Sequence, residues 1–264
     1  MALRSANITV MTQAAHRAAR HLVRDFGEVE NLQVSIKGPG DFVSAADRRA
    51  EQILVRELSR ARPGFGFLLE EGGVVESDGN YRWIIDPLDG TTNFLHGVPH
   101  FAISIALERQ GELVAGVIYD PIKDEMFTAE KGAGAYVNER RLRVSGRKDL
   151  SRCLIATGIP VLNWEGRERG YTGQLERISG HVAGVRRLGT ASLDLAYVAA
   201  GRFDGFWEYG LKPWDMAAGI VLLRESGGLI GRLEGDEDLL APGTIVTANP
   251  TIYPRLLDLL RGPA

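Results

Sequence analysis

The sequence predicts a layered α/β fold built in two halves, and three observations carry that prediction. Helical patterns open the chain. The middle is a series of short apolar segments joined by short turns, which means an antiparallel sheet. From about Leu150, strand-like and helix-like segments alternate, and such alternation builds stacked layers. With 264 residues and a hydrophobic fraction of 44%, the chain can bury a large core, as one big domain or as two sharing an interface. A charged fraction of 25% is ordinary for a globular protein and argues against disorder.

The first helix is expected from about Ala6 to Phe26. Val10, Ala14, Ala18, Leu22 and Phe26 recur there at helical spacing, with Arg17, Arg20 and Arg24 elsewhere on the wheel. A Gly-Pro-Gly turn spans Gly38 to Gly40. Ser44 then opens a second helix to about Ala61, before Pro63-Gly64. Tyr81 to Asp86 is a short apolar run ending in an acid. Phe101 to Leu107 and Leu113 to Tyr119 read as strands joined near Gln110-Gly111, and Glu125 to Ala129 and Ala135 to Val137 as a second pair around Gly132 and Gly134.

The alternating half opens with a strand at Cys153 to Ile159, a polar helix from about Glu165 to Ser179 and a strand at Val182 to Leu188. A helix at Ala191 to Ala200, a strand at Phe203 to Glu208 and a helix at Trp214 to Ser226 follow. A strand near Leu229, another at Thr244 to Ala248 and a helix from Tyr253 close the chain. A boundary near residue 145 separates an N-terminal α+β half (1–145) from a C-terminal α/β half (146–264). No linker-like segment lies between them, so the halves are expected to pack tightly.

Composition narrows the function. The formal net charge of −3 gives no global attraction to nucleic acid or anionic membrane. The single cysteine, Cys153, cannot form an internal disulfide and reads as a buried structural thiol. No signal-like apolar run begins the chain, and no apolar stretch approaches the ~20 residues of a membrane span. A soluble, cytoplasmic protein is expected, with no membrane partner.

The most informative segment is Trp83-Ile84-Ile85-Asp86-Pro87-Leu88-Asp89-Gly90-Thr91-Thr92-Asn93-Phe94. An apolar strand delivers Asp86 to its end, and Pro87, lacking an N–H, bends the chain and cannot continue a ladder. Asp89 follows three residues later, and two carboxylates on one tight turn repel unless a cation lies between them. Hard cations such as Mg²⁺ prefer oxygen ligands, and the Leu88 carbonyl is placed to add one. Gly90, Thr91 and Thr92 offer successive N–H groups and two hydroxyls, a phosphate-sized anion site if a helical turn starts there.

Other acids read two ways. Glu70-Glu71 ends the apolar segment from Phe65 and serves either as a metal ligand or as a solvated terminus. Asp215, after Pro213-Trp214, is a metal ligand or a dipole-favoured acid in a first helical turn. Asp47 orients a nucleophile or caps a helix within Ser44-Ala45-Ala46-Asp47, and the two roles are compatible. His96 and His100 read as structural.

Together these segments resemble the inositol monophosphatase family, within the lithium-sensitive Mg²⁺-dependent phosphatases. Trp83 to Ile105 is similar to the first family signature and Trp214 to Gly228 to the second, C-terminal one. Asp41 to Asp47 resembles the D-x-x-T-x-x-D segment, and Glu70-Glu71 the Glu-Glu element. The resemblance runs from about Gln13 to the last helix. It implies a layered αβαβα sandwich with a metal site between the halves. By the same resemblance Glu70, Asp86 and the Leu88 carbonyl hold one Mg²⁺, and Asp86, Asp89 and Asp215 a second. Glu70 with waters holds a weaker third. Asp47 and Thr91 orient the attacking water. Gly90 and Thr91 amides bind phosphate, and Gly189, Thr190 and Glu208 line the substrate pocket. Ser44 stands where the family usually has Thr. Leu69 stands where Gly often precedes the Glu pair, and Leu takes φ > 0 less easily.

The implied reaction is hydrolysis of a small phosphate monoester by two-metal, in-line attack of water, giving inorganic phosphate and an alcohol. Inositol monophosphate is the first expected substrate, with histidinol phosphate and fructose 1,6-bisphosphate as alternatives, and a homodimer is expected. A regulatory protein that binds the transcription machinery is the rival of a different class.

Overall fold

In the computed structural model, residues 5–28, 34–38, 41–77, 79–159, 168–235, 238–241 and 243–262 are described. Pro39 and Gly40 of the expected Gly-Pro-Gly turn, and 165–167 at the start of the expected polar helix, lie outside them.

The first helix, α1 (Ala6–Phe26), has the bounds its periodicity predicts, and the Ser5 hydroxyl caps it by accepting from Ile8 N–H at 3.2 Å. A short antiparallel ladder of β1 (Val34–Gly38) and β2 (Asp41–Ser44) precedes α2 (Ala45–Ala61). Eight strands follow: β3 (Gly66–Leu69), β4 (Gly73–Val75), β5 (Tyr81–Asp89), β6 (Ala102–Arg109), β7 (Glu112–Asp120), β8 (Glu125–Glu130), β9 (Gly134–Val137) and β10 (Arg140–Arg141). They form one sheet in the order β10-β9-β8-β7-β6-β5-β3-β4. A short helix, α3 (Thr91–Leu95), lies between β5 and β6.

The second half supplies β11 (Leu154–Thr157), α4 (Glu168–Ser179), β12 (Gly184–Arg186), α5 (Ala191–Ala199), β13 (Gly205–Tyr209) and α6 (Pro213–Ser226). It ends with β14 (Leu229–Arg232), β15 (Thr244–Ala248) and α7 (Tyr253–Arg261). Its sheet has the order β12-β11-β13-β15-β14. The antiparallel expectation holds in the first sheet except for β3 and β5, which run parallel. In the second sheet β11 is parallel to both β12 and β13.

Alternating burial sorts the side chains into three cores and hence five layers. Trp83, Ile85, Ile103 and Ile105 face α1 and α2. Ile84, Ala106 and Phe127, from the opposite face, meet α5, α6 and Phe206 of the second sheet. Ile155, Trp207 and Val246 face α4 and α7. The αβαβα sandwich follows. Helices α5 and α6 form the middle layer, covered on both sides, which explains why α5 and most of α6 are apolar all round. Packing there is close: a Cβ on Gly116 of β7 would lie 2.6 Å from the Ala218 carbonyl oxygen. The chain crosses from the first sheet to the second between β10 and β11. No described helix is long and apolar enough to cross a membrane.

Candidate active site

Strand β5 carries the centre of the site, and it corrects one expectation. The ladder does not end at Pro87: Asp86 pairs with Ser104 and Asp89 with Ala102. Three steps along β5 therefore match two along β6, so Pro87 and Leu88 sit in a bulge where a missing N–H costs no ladder bond. The bulge turns two acids toward one place. Asp86 is 2% exposed, and its Oδ1 accepts from Leu88 N–H at 2.9 Å. Gly90 follows with φ 92°, and a Cβ there would lie 2.5 Å from Thr190 Oγ1, so conformation and space both require glycine. The conditional helical turn is present as α3, beginning at Thr91.

Parallel pairing of β3 with β5 brings Glu70 alongside. Its N–H donates to the Ile85 carbonyl at 3.3 Å, and its side chain is in hydrogen-bond contact with Asp86. Leu69 needs no positive φ: it is an ordinary strand residue, 5% exposed, in the core beneath α2. Helix α6 presents Asp215 from its first turn, where Asp215 Oδ2 accepts from Lys212 N–H at 2.7 Å. Asp215 thus caps its own helix and also stands among the acids. Ser104 Oγ, donating to the Trp214 carbonyl at 3.1 Å, ties the start of α6 to β6. Helix α5 arrives from the other side, its Ser192 N–H donating to Asp89 Oδ2 at 2.7 Å. The first turn of α2 supplies fully buried Asp47, whose Oδ1 lies 3.0 Å from Thr91 Oγ1. Thr91 Oγ1 is also 3.0 Å from the Leu88 carbonyl oxygen.

The electrostatics are those of crowded acids. Burial, then Glu70, Asp89 and Asp215, raises the Asp86 carboxyl well above the carboxylate range. Burial and then Asp89 do the same to Asp215. Asp89 is raised by burial to about 6, although its bonds to Ser192 pull the other way. Glu208, at the end of β13, is raised to about 8 by burial and then by Asp89, with Arg187 opposing. The His100 imidazole is pushed down to about 4, first by burial and then by Lys123, which suits a structural histidine.

Among the described residues, no group of three or more His, Cys, Asp or Glu side chains stands assembled so that it could hold a metal ion. The site presents four mutually repelling acids with a backbone carbonyl beside them. An all-oxygen donor set of this kind suits a hard divalent cation such as Mg²⁺.

The linkage has a definite sign. Each raised acid holds its proton in the fold to a higher pH than in the unfolded chain, so cation-free stability falls as pH rises. The loss runs from the ordinary 3.8 of Asp89 through about 6, and from the ordinary 4.5 of Glu208 through about 8. A bound cation reverses that loss. The rise in Tm produced by Mg²⁺ over EDTA is therefore expected to grow from about pH 5 to about pH 8. A Mg²⁺ effect that is absent, or equal at both ends, would count against a cation among these acids.

The remaining expected residues cluster nearby. Gly189, with φ 81°, and Thr190 precede α5, and Thr190 Oγ1 donates to the His100 carbonyl at 3.0 Å. Glu208 packs against Gly158, where a Cβ would lie 1.7 Å from Glu208 Oε1. Sequence reasoning missed three participants. Asn93 Nδ2 donates to the carbonyls of His100 (2.9 Å) and Leu188 (2.8 Å), clamping the Gly189-Thr190 turn onto α3. Ser192 contributes a backbone amide, which side-chain identity cannot signal. Asp194 is buried among these groups, and its one signal was an acid inside an apolar helical run.

The sequence profile described as "Inositol monophosphatase family" matches residues 4–262. An inositol-1-monophosphatase of Mesorhizobium japonicum is 58% identical over 261 residues, covering 98% of each chain. A protein of Pseudomonas aeruginosa named Nus factor SuhB is 45% identical, covering 96% of this chain and 95% of its own. The crystal structure of extragenic suppressor protein suhB from Bartonella henselae superposes with a TM-score of 0.95 at 56% identity, covering 98% of this chain and all of the other.

Proposed function

The chain belongs to the inositol monophosphatase family, a family of phosphoric monoester hydrolases, and from that premise we propose that it hydrolyses a small polyol phosphate, inositol monophosphate first, with Mg²⁺. The observation that carries this reading is the meeting of Glu70, Asp86, Asp89 and Asp215 from three separate elements, with the start of helix α3 beside them. Glu70, Asp86 and the Leu88 carbonyl would hold one Mg²⁺, and Asp86, Asp89 and Asp215 a second; Glu70 with waters would hold a weaker third. Bound there, Mg²⁺ supplies activation of water and stabilisation of the leaving oxygen.

The chain's own residues do the rest. Thr91 has one hydroxyl proton and two acceptors at 3.0 Å, Asp47 and the Leu88 carbonyl. When the carbonyl is engaged elsewhere, that proton goes to Asp47. An Oγ1 lone pair is then free to accept a hydrogen bond from the attacking water and so fixes its direction. The Gly90 and Thr91 amides, at a helical start, hold phosphate oxygens as charge shifts onto them. Glu208 accepts hydrogen bonds from hydroxyls on the alcohol side.

Above about pH 8, where the Glu208 carboxyl is charged, Glu208→Gln is expected to lower kcat/KM for inositol monophosphate about 10- to 100-fold, the loss of one charge-assisted hydrogen bond. A flat aryl phosphate should suffer much less. Equal losses would assign Glu208 to the metal site or the fold. The substrate itself is tested by phosphate release from inositol monophosphate, histidinol phosphate and fructose 1,6-bisphosphate in parallel. A clear preference for either of the last two would displace the inositol assignment.

The relative named Nus factor SuhB motivates a second role, binding to the transcription machinery. It is compatible with the hydrolase reading. A pull-down with RNA polymerase that recovers nothing with the wild-type chain would remove it.

A further inference from the structure

Helix α5 is buried along its whole length, and its sequence, ASLDLAYVA, is apolar but for a few groups. Asp194 stands in its first turn. The residue is 1% exposed, and its Oδ1 has no hydrogen-bond partner in the protein. Its backbone N–H is satisfied by the Thr190 carbonyl at 3.0 Å, so the unmet capacity belongs to the side chain. A buried carboxyl oxygen without a partner costs stability in such a layer, although the first helical turn itself favours an acid.

The strand opposite explains where a partner would come from. Along β13, Phe206 faces the core shared with α5, and Trp207 faces the core under α4 and α7. Alternation returns Glu208 to the α5 side. Helix and strand thus set a buried carboxyl, Asp194, and a half-buried one, Glu208, toward each other. Glu208 is held from behind by Gly158, whose missing side chain makes room for it. After burial, the Glu208 charge is the largest influence raising the Asp194 carboxyl, and Arg187 is the cation that opposes both acids.

We propose that Asp194 is a specificity-determining residue of the alcohol end of the site, where it and Glu208 together recognise adjacent hydroxyls of a polyol phosphate, directly or through one ordered water. The proposal rests on the monoester-hydrolase reading above. It assigns a ligand partner to a carboxyl oxygen, Asp194 Oδ1, that has none in the fold, and it limits the preferred substrates to those with two neighbouring hydrogen-bonding groups.

The test compares Asp194→Leu and Asp194→Asn with wild type on myo-inositol 1-phosphate and p-nitrophenyl phosphate at saturating Mg²⁺, with Tm measured for each. For Asp194→Leu, kcat/KM on the polyol phosphate should fall about 10- to 100-fold, mainly through KM. The aryl phosphate should lose far less, and Tm should equal or exceed that of wild type. Asp194→Asn, which still hydrogen-bonds, should recover part of the loss. Equal losses on both substrates, an unchanged polyol reaction, or a lowered Tm with losses on both would overturn the proposal. A wild type that releases phosphate from neither substrate would instead overturn the hydrolase reading, and this proposal with it.

Discussion

Asp89→Asn is expected to lower turnover by about 100-fold or more, the consequence of losing about 3 kcal/mol of transition-state stabilisation. Asn keeps the shape of Asp, and its carbonyl oxygen can still accept from Ser192 N–H, the bond that measures 2.7 Å with Asp89. That bond turns the amide NH₂, a donor, toward the acids and any cation among them. A ligand is thus replaced by a group of the wrong sign, with the α5 contact intact. Because one buried acid is removed from a crowded set, the cation-free protein should not lose Tm. Phosphate release at saturating Mg²⁺ reads the first effect and a thermal scan in EDTA the second. Near wild-type turnover would contradict the assignment of Asp89 to a cation.

Thr91→Ala is expected to depress kcat by about 100-fold or more with little change in affinity for Mg²⁺, since correct positioning of the attacking water is worth about that much. The hydroxyl touches Asp47 and the Leu88 carbonyl, but no acid of the cluster accepts from it. Calorimetric titration with Mg²⁺ or Mn²⁺, run beside the kinetics, separates binding from turnover. Lost metal binding with turnover intact at saturating metal would show that Thr91 serves the metal rather than the water.

The elements legible in the sequence are those whose periodicity is uninterrupted. Helix α1 and strand β15 have the bounds their patterns predict, because one apolar face or one apolar run decides each. Strand β4 escaped notice: Gly73 to Val75 is an exposed edge with no alternation to read. The two residues of β10 are too few to carry a period. The ladder of β1 and β2 was hidden behind its turn signal, which suggested punctuation without strands. Pro87 misled for a physical reason. Its missing N–H rules out a regular ladder position, but a bulge has no need of that donor.

The candidate site divides in the same way. Asp86, Asp89 and Thr91 lie within six residues of one another, so their association was local and readable. Glu70 and Asp215 were ambiguous from their own surroundings. Pairing of β3 with β5 and the first turn of α6 bring them to Asp86, and both are tertiary events. The Ser192 amide and Asp194 were silent because one is backbone and the other acquires meaning only opposite β13.

Release of inorganic phosphate from myo-inositol 1-phosphate, followed as Mg²⁺ is titrated into chelator-treated protein, decides whether a cation among these acids drives the hydrolysis. No release is expected without the cation, a saturable rise with it, and return to zero on adding excess EDTA. Release that persists unchanged in EDTA, or none at any Mg²⁺ concentration with correctly folded protein, would contradict it.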